Sequence, residues 1–150
     1  VIAADTLVLG TNSPGASVGA ITNIGAFTLA GGAISIFEIA TNTAPGSGWD
    51  YLYVTNGALT LGDSVLQVVV PGGYVPATND TFVIMTNKQA LAGTFNNLFI
   101  LGPDKRVEAG RSVTNMTPVG TFRVKVESQC VVLDDFKAGS KPLGMMLIVR

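Results

Sequence analysis

The chain has 150 residues, with ten acidic and nine basic side chains, no histidine and a net charge of −1. This length suits one domain with a sizeable core, and a near-neutral charge without a basic patch excludes the electrostatic footprint of a nucleic-acid-binding protein. Hydrophobic residues make up 47% of the chain and charged residues only 13%, so the sequence predicts unusually complete burial or an apolar surface that a partner covers. No apolar run reaches the length of a membrane-spanning helix.

Short β-strands separated by turns are the elements predicted along the whole chain. Eighteen glycines and seven prolines interrupt the sequence too often for an amphipathic helix. In chain order the predicted strands are Thr6–Leu9, Ala26–Leu29, Ala33–Ile39, Tyr51–Thr55, Ala58–Leu61, Ser64–Val70, Thr81–Met85, Thr94–Ile100, Thr121–Glu127, Cys130–Leu133 and Met145–Val149. Phe122, Val124 and Val126 alternate with charged residues, which predicts one buried and one solvent-facing side for their strand.

A triplet of an apolar residue, Thr and Asn recurs along the chain. It occupies positions 21–23, 54–56, 85–87 and 113–115, so successive copies follow at similar intervals. A repeat of this length is typical of solenoid proteins, in which like turns stack and asparagine side chains can form hydrogen-bonded ladders. The triplet therefore predicts an all-β fold of the β-solenoid kind. A β-sandwich or jelly roll is the alternative, because Thr-Asn is good turn chemistry in any β protein.

Several motifs follow one another in an order that carries a family resemblance. They are Phe37-Glu38-Ile39, Gly46-Ser47-Gly48, Trp49-Asp50, Leu59-Thr60-Leu61-Gly62, Asp80-Thr81-Phe82 and Gly120-Thr121-Phe122. In this order the chain resembles the C-terminal β-helix region of secreted bacterial proteins with autotransporter-associated β-strand repeats, including surface proteins that carry a sorting signal. The resemblance spans residues 7–136 and implies a right-handed parallel β-helix, an extracellular or cell-surface location and no catalytic residues. Only the terminal unit of that family's repeat array is recognisable here.

The expected organisation is one solenoid-like domain over residues 1–136, a linker at 137–142 and a C-terminal strand or tail at 143–150. Apolar side chains at both ends mark candidate assembly surfaces, because unpaired strand edges pair readily with other chains. The candidate assembly residues are Val1, Ile2, Leu7, Leu9, Leu143, Met145, Leu147 and Val149. We expect an extracellular structural protein that self-associates into filaments or a surface layer. The alternative is a monomeric cap or spacer domain of a larger adhesin or autotransporter-like passenger.

Candidate chemistry beyond assembly is sparse. No histidine is present as a general base, and the adjacent Asp134 and Asp135 should face opposite sides of a strand. No enzyme activity, cofactor or metal site is therefore predicted. Cys130 is expected to be a buried, inert thiol, and the basic residues 105, 106 and 111 are expected in a solvated loop.

Aromatic side chains near the middle of the chain suggest one further partner. Trp49, Tyr51 and Tyr53 are close in sequence and are the candidate contacts for a cell-surface glycan. Packing of these rings in the core or at an interface is the competing interpretation. The expected partners are therefore other copies of the chain and, through these rings, a glycan, with no nucleic acid and no membrane span.

Overall fold

The computed structural model describes residues 1–139, and in this part of the chain every regular element is a strand. The strands are β1 (Thr6–Val8), β2 (Thr11–Asn12), β3 (Ala20–Asn23), β4 (Phe27–Leu29), β5 (Ile34–Glu38), β6 (Tyr51–Val54), β7 (Leu59–Thr60), β8 (Val65–Val69), β9 (Phe82–Asn87), β10 (Leu91–Ala92), β11 (Phe99–Leu101), β12 (Asp104–Gly110), β13 (Pro118–Val126) and β14 (Cys130–Ala138). The prediction of an all-β chain is confirmed. The predicted strand Met145–Val149 and the tail at 143–150 lie outside the described residues.

The first ten strands pair in three parallel ladders. Strands β1, β4, β7 and β10 form one four-stranded sheet. Strands β2, β5 and β8 form the second ladder, and β3, β6 and β9 form the third. The chain therefore visits the three ladders in the same order on each of three passes, over residues 6–23, 27–54 and 59–87.

Three strands that are antiparallel to one another connect the second and third ladders beyond the last strands of these ladders, β8 and β9. Strand β12 pairs parallel with β8, β13 lies between β12 and β14, and β14 pairs antiparallel with β9. The second and third ladders thereby join into one ten-stranded sheet, whose tenth strand is β11, paired beside β12. We call β12, β13 and β14 the cap, because they occupy the outer edges of β8 and β9.

The core lies between the ladders and the cap, and an aromatic chain runs through it. Trp49 packs edge-on against Phe82 with ring centroids 5.2 Å apart, and Phe82 packs edge-on against Phe122 at 5.8 Å. Phe122 in turn meets Phe136 at 4.9 Å. All four rings are at least nine-tenths buried. Buried aromatic rings stabilise a fold by removing apolar surface from water and by edge-to-face attraction. These four rings therefore hold the cap against the last parallel pass.

The apolar-Thr-Asn triplets do not stack as the sequence predicts. In the third ladder Asn23 pairs with Val54, and Val54 pairs with Asn87. Asn23 and Asn87 therefore share one column with Val54 between them, and the triplet at 54–56 is displaced along its strand. The predicted asparagine ladder is wrong. The Asn23 side chain instead donates to the carbonyls of Gly25 and Ala26 within its own turn.

A second correction concerns the basic segment after residue 104. The polar sequence predicts a solvated loop at residues 105 and 106, but Asp104–Gly110 is a strand and the Arg106 side chain is fully buried. Arg111 follows that strand directly, and its guanidinium donates to the carbonyl oxygens of Pro71 and Tyr74 at 2.7 and 3.1 Å. This segment is therefore structural, and it ties the cap to the parallel passes.

Candidate functional site

The first pass presents an open strand edge. Within residues 1–139, β1 pairs only with β4, β2 only with β5, and β3 with β6. The one further contact is at Ile2, whose N–H donates to the Thr22 carbonyl at 2.8 Å and whose carbonyl accepts from Ile24 at 2.7 Å. Ile2 thus begins another rung above β3, opposite Asn23. The backbone geometry of this edge suits one more parallel pass.

Four predicted assembly residues lie on this first pass or just before it. Val1, Leu9 and Leu7 are 91%, 75% and 61% exposed, and Ile2 is 39% exposed. Large exposed apolar side chains gathered at one end of a molecule are typical of an interaction surface. The other four predicted assembly residues, Leu143, Met145, Leu147 and Val149, lie outside the described residues.

At the opposite end the cap closes the second and third ladders, whereas β10 ends the four-stranded sheet with no strand paired beyond it within residues 1–139. Val70 N–H donates to the Gly110 carbonyl at 2.8 Å, next to the pairing of Val68 with Ala109. On the other side Val131 and Leu133 of β14 pair with β9. The edges of β8 and β9 are therefore used within the chain, unlike those of β1, β2 and β3.

A buried arginine holds the cap strands together. The Arg106 Nε donates to Thr121 Oγ1 at 3.0 Å, and its terminal nitrogens donate to the Thr121 carbonyl at 3.1 Å, to Asp135 Oδ2 at 2.9 Å and to the Asp135 carbonyl. Asp135 has a positive φ of 46° at an irregularity in the pairing of β13 with β14. The hydrogen bond from Arg106 lowers the pKa of the Asp135 carboxyl.

A second ion-pair group lies on the same strands. Arg123 donates to both carboxylate oxygens of Asp134, at 2.7 and 2.9 Å, and Lys125 Nζ lies 2.6 Å from Asp134 Oδ2. The hydrogen bond from Arg123 lowers the pKa of Asp134. Asp134 therefore binds an arginine of β13, and Asp135 binds an arginine of β12. Residue alternation alone does not predict this arrangement, because the pairing irregularity changes the direction of the Asp135 side chain.

The three predicted aromatic glycan contacts separate into two environments. Trp49 is 7% exposed and its Nε1 donates to the Val83 carbonyl at 2.9 Å, so it belongs to the core and not to an exposed surface with the tyrosines. Tyr51 and Tyr53 are half-buried on the outer face of β6, and their rings stack with centroids 6.3 Å apart. Of the three predicted contacts, Tyr51 and Tyr53 are the two whose rings are accessible.

Asp50, known from the sequence only as part of the Trp49-Asp50 motif, has a structural role. Its carboxylate is buried, with one oxygen accepting from Gly19 N–H at 2.7 Å and the other from Glu38 N–H at 2.8 Å. Burial raises its pKa, although the two backbone hydrogen bonds act in the opposite direction. Asp50 thereby links the first pass to the second. Its position between Trp49 and β6 gives no sign of that link in the sequence.

Other reactive groups are few in the part of the chain that the structure describes. Cys130 is half-buried, which corrects the expectation of a buried thiol, and burial together with its bond to Glu127 at 3.3 Å raises its pKa. Among residues 1–139 no group of three His, Cys, Asp or Glu side chains is placed to hold a metal ion. No helix in the same range is long and apolar enough to cross a membrane.

Comparison with protein-family models, with curated proteins and with solved structures found no match to this chain.

Proposed function

We propose that this chain is an extracellular structural domain that forms the C-terminal cap of a parallel β-solenoid. In this proposal the three passes are right-handed solenoid coils, β12–β14 end the stack, and the edge of the first pass receives a further coil. The observation that carries the proposal is the difference between the two ends: β8 and β9 are paired by the cap, while β1, β2 and β3 have open edges within residues 1–139.

The strand pairing supports the solenoid part of the proposal. Each pass contributes one strand to each of three parallel ladders, and Phe27, Leu59 and Leu91 stack in one column at equal intervals along the chain. Parallel neighbours joined by a crossover are right-handed in nearly all proteins. A sandwich or jelly roll is built mainly from antiparallel pairs, and among the strands of residues 1–139 such pairs occur only in and beside the cap.

The cap itself supports a terminal position. Repeat arrays need an end unit whose outer side offers little further pairing edge. The antiparallel strands β12, β13 and β14 provide it for two of the three ladders, and the two-residue strand β10 ends the other. The resemblance to secreted proteins with autotransporter-associated repeats supports the extracellular, cell-surface location. In this role the protein is a scaffold without catalytic residues, and its partner is the preceding part of an adhesin or passenger.

Duplicating one pass tests the solenoid. A second copy of residues 27–58 inserted after residue 58 adds one complete pass, because Phe27 pairs with Leu59, the residue that follows this segment. We expect a folded product whose denaturant m-value rises with the added buried surface. A matched insertion of residues 27–42 alone adds half a pass and should prevent folding. If the full-pass variant is unfolded, or both insertions are tolerated equally, the solenoid proposal is wrong.

Self-association into filaments or a surface layer is the second candidate, and the exposed Val1, Leu7 and Leu9 favour it. A polymer needs two complementary surfaces, and head-to-tail contacts that do not close produce fibres. The first pass offers one surface, and residues 143–150 are the proposed other.

Light scattering and negative-stain electron microscopy of the full-length chain separate the two candidates. A cap with one open end predicts discrete particles no larger than a dimer. Regular filaments at neutral pH would support the polymer and contradict the cap. Deleting residues 143–150 should then abolish the filaments, and unchanged filaments would reject the tail as the link.

A further inference from the structure

A cleft lies where the beginning of β12 separates from the end of β13. Its volume is about 410 Å³, within the usual size range of small-molecule sites. The lining residues are Thr94, Pro103, Asp104, Lys105, Arg123, Val124, Lys125 and Val126. Neither the open edge of the first pass nor the tyrosine pair is part of this cleft.

The charges around the cleft are predominantly positive. Lys105, Arg123 and Lys125 line it together with a single carboxylate, Asp104. Arg123 and Lys125 share one partner, Asp134, and Arg123 also lies 3.8 Å from Asp104. Lys105 makes no ion pair within residues 1–139, so the cleft keeps one cation without an ionic partner, beside the partly exposed Lys125, that an anion can bind.

The rest of the described chain has the opposite sign. Residues 1–98 contain one basic side chain, Lys88, and five acidic ones, whereas residues 99–139 contain six basic and five acidic side chains. A positively charged concavity on an otherwise negative molecule concentrates anions locally. The uneven distribution therefore directs an anionic ligand to the cap and away from the parallel passes.

The remaining lining groups fit a sugar ring. Pro103 and Val126 provide apolar contact, and Thr94 and Asp104 provide a hydroxyl group and an oxygen acceptor. A saccharide presents C–H faces beside hydroxyl donors and acceptors, so it matches both kinds of wall. The basic residues add a requirement for a carboxylate or a sulfate ester on that sugar.

We propose that this cleft binds an anionic saccharide, a uronic acid or a sulfated sugar, with its charged group held by Lys105 and Lys125. The proposal concerns the outer side of the cap and is independent of the stacking of passes. Loss of binding would leave the structural function unaffected, and failure of the cap proposal would not remove the cleft.

The test is titration of the full-length chain with a heparin-derived sulfated disaccharide. Binding is measured by calorimetry and by changes in backbone NMR chemical shifts. We expect saturable binding with shifts centred on Thr94, Lys105 and Lys125. Lys105→Glu should weaken binding roughly tenfold, because it replaces an attractive charge with a repulsive one. Lys105→Arg should keep the affinity within about twofold, since the charge remains. Lys88→Glu makes the same change in net charge outside the cleft and should have little effect.

Each competing outcome contradicts the proposal. Equal losses in Lys105→Glu and Lys88→Glu would show attraction to the overall charge only. Inorganic sulfate binding as tightly as the disaccharide would show an anion site without sugar recognition. A tetraglutamate peptide binding as tightly would identify an acidic protein segment as the ligand. Absence of saturable binding at low salt would remove the site.

Discussion

The guanidinium of Arg106 is completely buried, yet each of its three nitrogens donates a hydrogen bond to Thr121 or Asp135. Taking a cation out of water costs several kcal/mol unless its donors are satisfied. Arginine suits this position because its planar fork can reach two strands at once. The network therefore depends on the guanidinium: removing it takes this donor from the Thr121 carbonyl and leaves the Asp135 carboxylate with the more distant Lys137, 3.5 Å away.

Arg106→Met should destabilise the protein by about 3–5 kcal/mol, as expected when one partner of a buried ion pair is removed. Lys105→Met is the matched control, because Lys105 is exposed and substitutions at such positions usually change stability by less than about 0.5 kcal/mol. Urea unfolding measures both. Similar midpoints for the two variants would show that the buried network contributes little. A double-mutant cycle with Asp135→Asn would isolate the ion pair.

The lowered pKa values of Asp134 and Asp135 predict acid sensitivity in the cap. A carboxyl with a lower pKa in the folded state contributes stability that is present above its unfolded pKa of about 3.9 and is lost as the pH falls through the folded pKa. Asp134→Asn should therefore lower stability at pH 7 and flatten its dependence on pH below about 4. Asp63→Asn is the control, because Asp63 makes no ion pair within residues 1–139. Parallel stability-versus-pH curves for wild type and Asp134→Asn would contradict the assignment.

At the scale of elements, neighbouring passes come into closest contact at glycines. A Cβ on Gly57 would lie 2.3 Å from Ala26 N and 2.4 Å from the carbonyl carbon of Gly25. The clash would be with backbone, which cannot move aside as a flexible side chain can. The two passes can therefore keep their spacing only because position 57 has no side chain.

Gly57→Ala should destabilise the protein by at least about 1–3 kcal/mol, the usual cost of overpacking. Gly72→Ala is the control, since a Cβ there has no neighbour within 4 Å and its backbone is not left-handed. It should leave stability unchanged or raise it by reducing the entropy of the unfolded chain. Unfolding midpoints by circular dichroism compare the two, and equal midpoints would mean that the passes separate easily.

The sequence predicts strands best where side-chain alternation is locally visible. The predictions for residues 33–39, 51–55, 64–70 and 121–127 overlap β5, β6, β8 and β13. Burial alternates along β5 and β6, although β5 buries Ser35 as well as Phe37. Phe122 and Val124 are buried as predicted, but the prediction for Val126 is wrong, because it is exposed at the end of β13. The two-residue strands β2 and β10 are too short to show a period. Strand β12 is absent from the predicted elements because its first residues, Asp104-Lys105-Arg106, have the polarity of a loop.

The candidate sites are harder to predict than the strands, for a physical reason. Burial of Arg106 depends on the distant Asp135, and burial of Trp49 depends on Val83 and Phe82 on the next pass. Composition contains no information about such contacts. Two-residue alternation is local and predicts that Tyr51 and Tyr53 share one strand face, and the structure confirms that placement.

At the scale of the whole molecule, pairing becomes more extensive from the first pass to the cap. Strands β1 and β2 have three and two residues and one neighbour each within residues 1–139, whereas β13 and β14 have nine residues and two neighbours each. Free energies of local opening follow the number of protected hydrogen bonds and buried contacts. The first pass should therefore unfold locally more often than the rest of the molecule.

Hydrogen exchange followed by mass spectrometry tests this gradient on the full chain. Peptides covering residues 1–23 should exchange fastest, those covering 51–70 more slowly, and those covering 118–138 only through global unfolding. Because the exposed Leu7 and Leu9 lie on the first pass, a contact with another coil or another copy should slow exchange there and leave the cap unchanged. Protection of residues 1–23 that rises with protein concentration would identify a second copy as the occupant of the open edge. Protection equal to that of the cap in dilute solution would mean that the first pass is already closed, and the proposed asymmetry of the two ends would be wrong.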